Sequence, residues 1–208
     1  MSEIRVPPGR AGRLQLDRRL ATARSGTDLL DRKLRILTAE LAGLQQAAAR
    51  TEREWSTLAA AADQMLLVAA LLGGQRATRL AMPHGLADVE FTYATTIGIR
   101  HPSAARYAAP RGPDPWAGLA VDEARQAVRE ALAAAVNHAA AARAAQLIEA
   151  EVAATRIRLR AIRDRLIPRL EQARAKLVLA IDEQERGDAI RLRRAAARPG
   201  AGAWRAGA

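Results

Sequence analysis

The chain has 208 residues, enough for one domain or for one long element carrying an insert, and it lacks cysteine, which excludes a disulfide scaffold, a thiol nucleophile and cysteine-ligated zinc or iron–sulfur sites. Aromatic residues make up 3% against 50% hydrophobic, so the apolar content is mostly Ala and Leu, a composition of long helices rather than of a β-rich core. Lys and Arg number 33 against 22 Asp and Glu, a formal charge of +11 that suits acidic or polyanionic surroundings.

The first segment, residues 1–72, opens without the apolar stretch of a secretory signal, and its longest purely apolar run, Met65 to Leu72, falls short of the ~20 residues that cross a bilayer. A soluble, cytoplasmic protein is expected. Stepping alternately by four and three from Leu16 visits Leu20, Ala23, Thr27, Leu30, Leu34, Leu37, Leu41, Leu44, Ala48, Thr51, Trp55, Leu58, Ala62, Met65, Ala69 and Leu72, and only the two threonines are polar. Apolar residues in a heptad repeat sustained this long predict a coiled-coil helix. Pro7-Pro8-Gly9 before it and Gly73-Gly74 after it supply the stop signals.

Residues 73–113 have a different texture. Val89-Glu90-Phe91-Thr92-Tyr93 alternates at period two and is followed by Ile97-Gly98-Ile99, which predicts one or two short strands in a compact insert at the turn end. The only Phe and both Tyr residues fall here, as in a small packed knob.

A second helical segment, residues 114–198, opens at Asp114-Pro115, an N-cap acceptor followed by proline at the first helical position. It stops at Pro199-Gly200, leaving a flexible tail over 199–208. From Leu159 its apolar positions run Ile162, Leu166, Leu170, Ala173, Leu177 and Ile181, an eleven-residue spacing that relaxes the left-handed supercoil of strict heptads. Pro168 cannot donate to the carbonyl of Asp164, so a bend or local unwinding is expected there, either a tolerated kink or a flex point. Two long helices joined by a compact insert bury their seams by folding back on each other. The fold class is therefore mainly α, a long antiparallel two-helix coiled-coil hairpin with a small middle insert. Alanine runs at 133–135 and 139–142 let the two backbones approach closely.

Charge is unevenly spread. Residues 1–35 carry nine basic and four acidic side chains, residues 36–155 ten and twelve, and residues 156–198 thirteen and six. The excess sits at the two chain ends, which the hairpin makes neighbours. Three readings stand: arginines such as Arg156, Arg158, Arg160, Arg163 and Arg165 as a solvated face that keeps an Ala/Leu-rich coil soluble, a basic tip inserted into a partner protein, or a nucleic-acid surface. The last lacks the interleaved aromatics it needs, since 156–198 contains none. No catalytic constellation is evident. Gly73-Gly74-Gln75-Arg76-Ala77-Thr78 lacks the Gly-Lys-Ser/Thr of a phosphate loop. His84, His101 and His138 lack ligands at helical spacing, and Glu183 and Glu185 sit in a mixed-charge tract suited to intrahelical pairing. The expectation is a mechanical or binding protein with no cofactor and no metal. One rival is a cytoplasmic coiled-coil scaffold held on anionic membranes by its basic end.

Val6-Pro7-Pro8-Gly9-Arg10 with Gly26-Thr27-Asp28-Leu29-Leu30-Asp31-Arg32-Lys33, then Thr155-Arg156, Ile167-Pro168-Arg169-Leu170, Asp182-Glu183-Gln184-Glu185-Arg186 and Ile190-Arg191-Leu192-Arg193-Arg194, form an ordered set over both arms. In order and spacing this set resembles the D subunits of the V-type and archaeal-type (V/A-type) rotary ATPases, the central rotor shaft. Departures are Gly9, where that family usually has threonine, and Arg160-Ala161-Ile162-Arg163, where it usually has Asn-Ala-Leu-Glu. The resemblance implies a non-catalytic subunit, cytoplasmic and peripheral to the cell membrane, that carries torque during ATP synthesis or ion transport. It implies that the basic tip enters a hexameric ring of A and B subunits, with the F subunit on the side of the coil and a funnel subunit, C or d, linking it to the membrane rotor ring. Nucleic acid has no part in this, and the membrane is reached only through the complex. Candidate ring contacts are then Arg10, Arg156, Arg160, Arg163, Arg191, Arg193 and Arg194, and Pro168 is the candidate flex point.

Overall fold

The computed structural model describes residues 4–83, 85–110 and 118–197. The expected cap at Asp114-Pro115, the stop at Pro199-Gly200, and His84 lie outside the described residues. Helix α1 spans Arg10–Leu80, strands β1 and β2 span Asp88–Thr96 and Ile99–Ala108, helix α2 spans Leu119–Arg160, a π-helical segment spans Ala161–Leu166, and helix α3 spans Ile167–Ala196. This is the expected class, mainly α: two long helical arms with a small two-stranded antiparallel sheet between them in the chain. The chain divides into two compact units, Met1–Asp31 with Arg156–Ala208, and Arg32–Thr155.

In the first unit, α1 starts where Gly9, at φ 79°, turns the chain, and the Arg13 N–H donates to the Gly9 carbonyl at 3.3 Å. Its core is Leu16 and Leu20 from α1 against Leu170 from α3, flanked by Ala23, Ile167, Ala173 and Leu177. Beside this thin core runs a ladder of ion pairs. Arg10 meets Glu185 at 2.9 Å, Asp17 meets Arg174, Arg24 meets Glu171 at 2.8 Å, and Asp31 meets Arg163 at 2.6 Å. Numbers rise along one arm as they fall along the other, the signature of an antiparallel pair. Glu185 thus pairs across the arms, where intrahelical pairing was expected. The unwinding expected at Pro168 takes the form of the π-helical segment: the Ile167 N–H reaches back five residues to the Ile162 carbonyl, and Pro168 sits in the first turn of α3, where its missing N–H costs least.

In the second unit, Leu37 packs on Ile148 and Val152, and Ala69 on Val121 and Ala124. Lys33 meets Glu151 at 2.6 Å, and the Trp55 ring stacks on His138 with centroids 5.5 Å apart. Pairing is antiparallel here as well. Ala131, Ala134, Ala140, Ala144 and Ala145 are buried, Ala134 and Ala140 within the alanine runs. The seam closes at Ala69, since Leu72 is 77% exposed. At Gly74 the backbone leaves the helix (φ 74°, ψ 163°) and resumes it to Leu80, so the expected stop is a kink.

The insert is a hairpin. Ile97 and Gly98, at φ 47° and 79°, form its two-residue turn, the positive pair that a tight primed turn needs. Strand β2 runs well past Ile99, and it tolerates Pro102 because the register shifts between Thr92 and Tyr93. Ile99 packs on the Leu37–Ile148 core, while Phe91 and Tyr93 stay half exposed, Tyr93 beneath the Arg100 guanidinium at 4.1 Å. The insert is a hairpin with one apolar foot rather than a knob packed around its rings.

Candidate contact surfaces

Each unit presents one distinctive surface. On the first, the described residues hold eighteen basic and nine acidic side chains, and helical geometry sorts them by role. Residues on the seam flanks reach across the groove, as i and i+3 or i+4 neighbours of the leucines must. Those on the outer faces point to solvent. Of the seven arginines singled out from the sequence, Arg10, Arg163 and Arg191 have carboxylate partners within the unit: Glu185, Asp31 and Asp188 respectively. Arg156, Arg160, Arg193 and Arg194 are exposed. Arg156 and Arg160 are four residues apart on α2, hence on one face.

The cross-arm acids Asp17, Asp31 and Glu171 were not singled out from the sequence. Their signal is their placement one residue from a seam leucine or alanine, facing an arginine on the antiparallel arm. Such exposed pairs contribute little energy singly; what they set is register. Pro168 lies two residues past the π-helical segment, on the same arm as Arg163.

On the second unit the surface is apolar. Leu66, Leu67, Val68, Leu71, Leu72, Leu80, Met82, Leu86 and Leu119 are all exposed, and together they exceed the scattered apolar residues of an ordinary soluble surface. By length and composition α1 contains one stretch apolar enough to cross a membrane, with 11% of it buried. An open cavity of about 340 Å³ is set among them, lined by Leu66, Met82, Leu86, Tyr107, Val121 and Leu132. At its rim Arg125 donates to the Ala81 carbonyl at 3.0 Å and meets Asp122 at 3.6 Å, tying α2 to the end of α1. A concavity framed by leucines, with Arg125 and Arg129 in its lining, is built to take apolar side chains.

The two described histidines are occupied locally. His101 is buried in the hairpin, its Nε2 3.1 Å from the Thr96 hydroxyl and its Nδ1 3.3 Å from the Pro102 carbonyl. The Nδ1 of His138 lies 3.4 Å from the Thr51 hydroxyl. Among the described residues no group of three or more His, Asp or Glu is placed to hold a metal ion.

Comparison with known proteins gives a consistent relationship. The family model for the ATP synthase D subunit matches residues 13–197. A V-type ATP synthase D subunit of Anaeromyxobacter dehalogenans (strain 2CP-1) is 31% identical over 206 residues, covering 93% of this chain and 97% of the relative. Proteins of the same description from A. dehalogenans (strain 2CP-C) and Anaeromyxobacter sp. (strain K) are each 30% identical with the same coverage.

Proposed function

Because the chain belongs to the D-subunit family of ATP synthases, we propose that it serves as the central-stalk rotor subunit of a V/A-type ATP synthase, carrying torque between a catalytic A/B ring and the membrane ion-translocating ring. The observation that carries this reading is the antiparallel pairing of the arms, seen from Arg10–Glu185 to Asp31–Arg163 in the first unit and from Lys33–Glu151 to Ala69–Val121 in the second. Helices paired in this way resist twisting, because turning one arm against the other shears packed leucines and breaks several ion pairs together.

In this reading the arginine-rich surface of the first unit enters the ring. Diffuse charge suits a part that turns: exposed arginines are attracted to an acidic bore at every angle, whereas a few deep anchors would hold it at one. The leucine surface and cavity of the second unit seat on the funnel subunit, C or d, where a permanent apolar joint is needed to pass torque without slip. The F subunit takes the side of the coil. The chain makes and breaks no bonds; bond chemistry belongs to the ring, whose interfaces respond in turn to the rotor's asymmetric face by rigid-body rotation. The complex places it peripheral to the membrane, on the cytoplasmic side.

Reconstitution tests the assignment. The purified chain is expected to join an A/B ring stoichiometrically and to restore coupling between ATP hydrolysis and ion transport. Tight, salt-sensitive binding to anionic vesicles with no affinity for the ring overturns it in favour of a membrane scaffold.

A further inference from the structure

We propose that Ile4–Pro8 forms a strap that seals the leucine core of the first unit, and that Gly12 is the positioning residue that admits it. After the reversal at Gly9, the preceding residues lie back along α1. Ile4 and Val6 pack against the cluster of Leu16, Leu20 and Leu170. Pro7 crosses directly over Gly12, which is buried. A Cβ built on Gly12 collides with the Pro7 carbonyl oxygen and stands 3.0 Å from the Pro7 carbonyl carbon and 3.1 Å from Cδ2 of Leu177. Two of these three obstacles are backbone, so no side-chain rotation relieves the clash.

Gly12 lies four residues, about one turn, before Leu16 and on the same side of α1, where a side chain would lean toward Leu177 of the opposing arm. Here the strap's backbone occupies that space. Of the other glycines inside the helical arms, Gly26, Gly43, Gly74 and Gly187 have open space where a Cβ would go, and Gly73 meets only side-chain carbons of Ala77 and Val121 at 3.1 and 3.4 Å, so the collision with backbone is particular to Gly12.

Two helices cannot by themselves enclose the leucines between them, because the groove on either side of a pair stays open. The strap closes one groove, and Leu16, Leu20 and Leu170 are 0, 6 and 2% exposed. This sealing role rests on the rotor reading: with the groove covered, the first unit offers the ring arginines rather than a leucine cleft that would grip an apolar side chain at one angle.

Since the chain has no cysteine, a single one reports cleanly. In full-length Val6→Cys, the thiol-labelling rate measures strap opening. Adding Gly12→Ala is expected to raise it by about tenfold or more, as a displaced segment samples open states freely. Gly26→Ala in the same background is expected to leave it unchanged. Ile4→Ser, which keeps Gly12 and weakens the apolar seat, is expected to raise it too, so the result stands even if Gly12→Ala folds poorly. Unchanged labelling in both overturns the strap. In the assembled complex, Gly12→Ala is expected to slow ATP turnover; an unaltered rate in a complex that forms overturns the sealing role. Failure of the unsubstituted chain to join the ring overturns the rotor reading and the sealing role with it, whereas the strap is decided by labelling of the isolated chain.

Discussion

Leu37 and Leu29 lie on the same helix two turns apart and differ in direction: Leu37 is fully buried against Ile148 and Val152, and Leu29 is 63% exposed. Truncating Leu37 to Ala removes packed atoms and leaves a void that two stiff helices close poorly. A loss of about 2–5 kcal/mol is expected for Leu37→Ala by urea denaturation, against a change within about 0.5 kcal/mol for Leu29→Ala. Equal effects would mean that the heptad seam does not carry the stability. Ile97 makes the opposite case. Its φ of 47° places a β-branched residue in the left-handed region that glycine and asparagine occupy readily. Ile97→Asn is expected to stabilise the hairpin by about 1 kcal/mol, seen as slower amide exchange across the β1–β2 ladder, and faster exchange would refute the strain.

At the scale of elements, what the sequence made legible was periodic. In α1 every buried residue from Leu16 onward (Leu16, Leu20, Thr27, Leu37, Ala62 and Ala69) falls on the seam counted from Leu16, because a 3.5-residue repeat in an Ala- and Leu-rich chain admits one helical solution. What escaped was aperiodic. β2 reads Ile-Arg-His-Pro-Ser-Ala-Ala-Arg-Tyr-Ala, poor in β-branched residues and interrupted by Pro102; its extended form comes from pairing with β1, which sequence pattern does not display. Gly12 carries no periodic signal, because the seam passes through Arg13 and Leu16 and the role of Gly12 comes from Pro7 lying above it. The π-helical segment was visible as stretched spacing from Leu159 to Leu170 and as the unwinding expected at Pro168, two residues past its end. Leu41→Pro tests the element that was legible. It deletes one backbone hydrogen bond and sets a ring against the preceding turn, costing about 3 kcal/mol before packing losses. Reduced helicity by circular dichroism, together with hydrolysis uncoupled from ion transport, is the expected pair of outcomes; full coupling would contradict a mechanical role.

For the whole molecule, the arginines divide by what they face, and assembly should divide with them. Arg156 and Arg160 are exposed on one face of α2, so their charge is available to a partner. Arg163 instead reaches Asp31 at 2.6 Å. Reversing Arg156 and Arg160 together to Glu is expected to weaken joining with the A/B ring by about tenfold at low salt, through loss of attraction and gain of repulsion. Because these charges are solvated, the difference should shrink as the screening length falls from about 10 Å at 0.1 M salt to about 3 Å at 1 M. Arg163→Glu is expected to behave otherwise. It sets a carboxylate beside Asp31 and removes a rung that fixes the register of the arms, so its first effect is a lower melting temperature of the isolated chain. Binding measured by titration across salt, alongside thermal melts of each variant alone, separates the two. If the Arg156/Arg160 double variant joins the ring equally well at both salts, these arginines belong to the solvated face that keeps the coil in solution, and the ring must hold the chain through other residues.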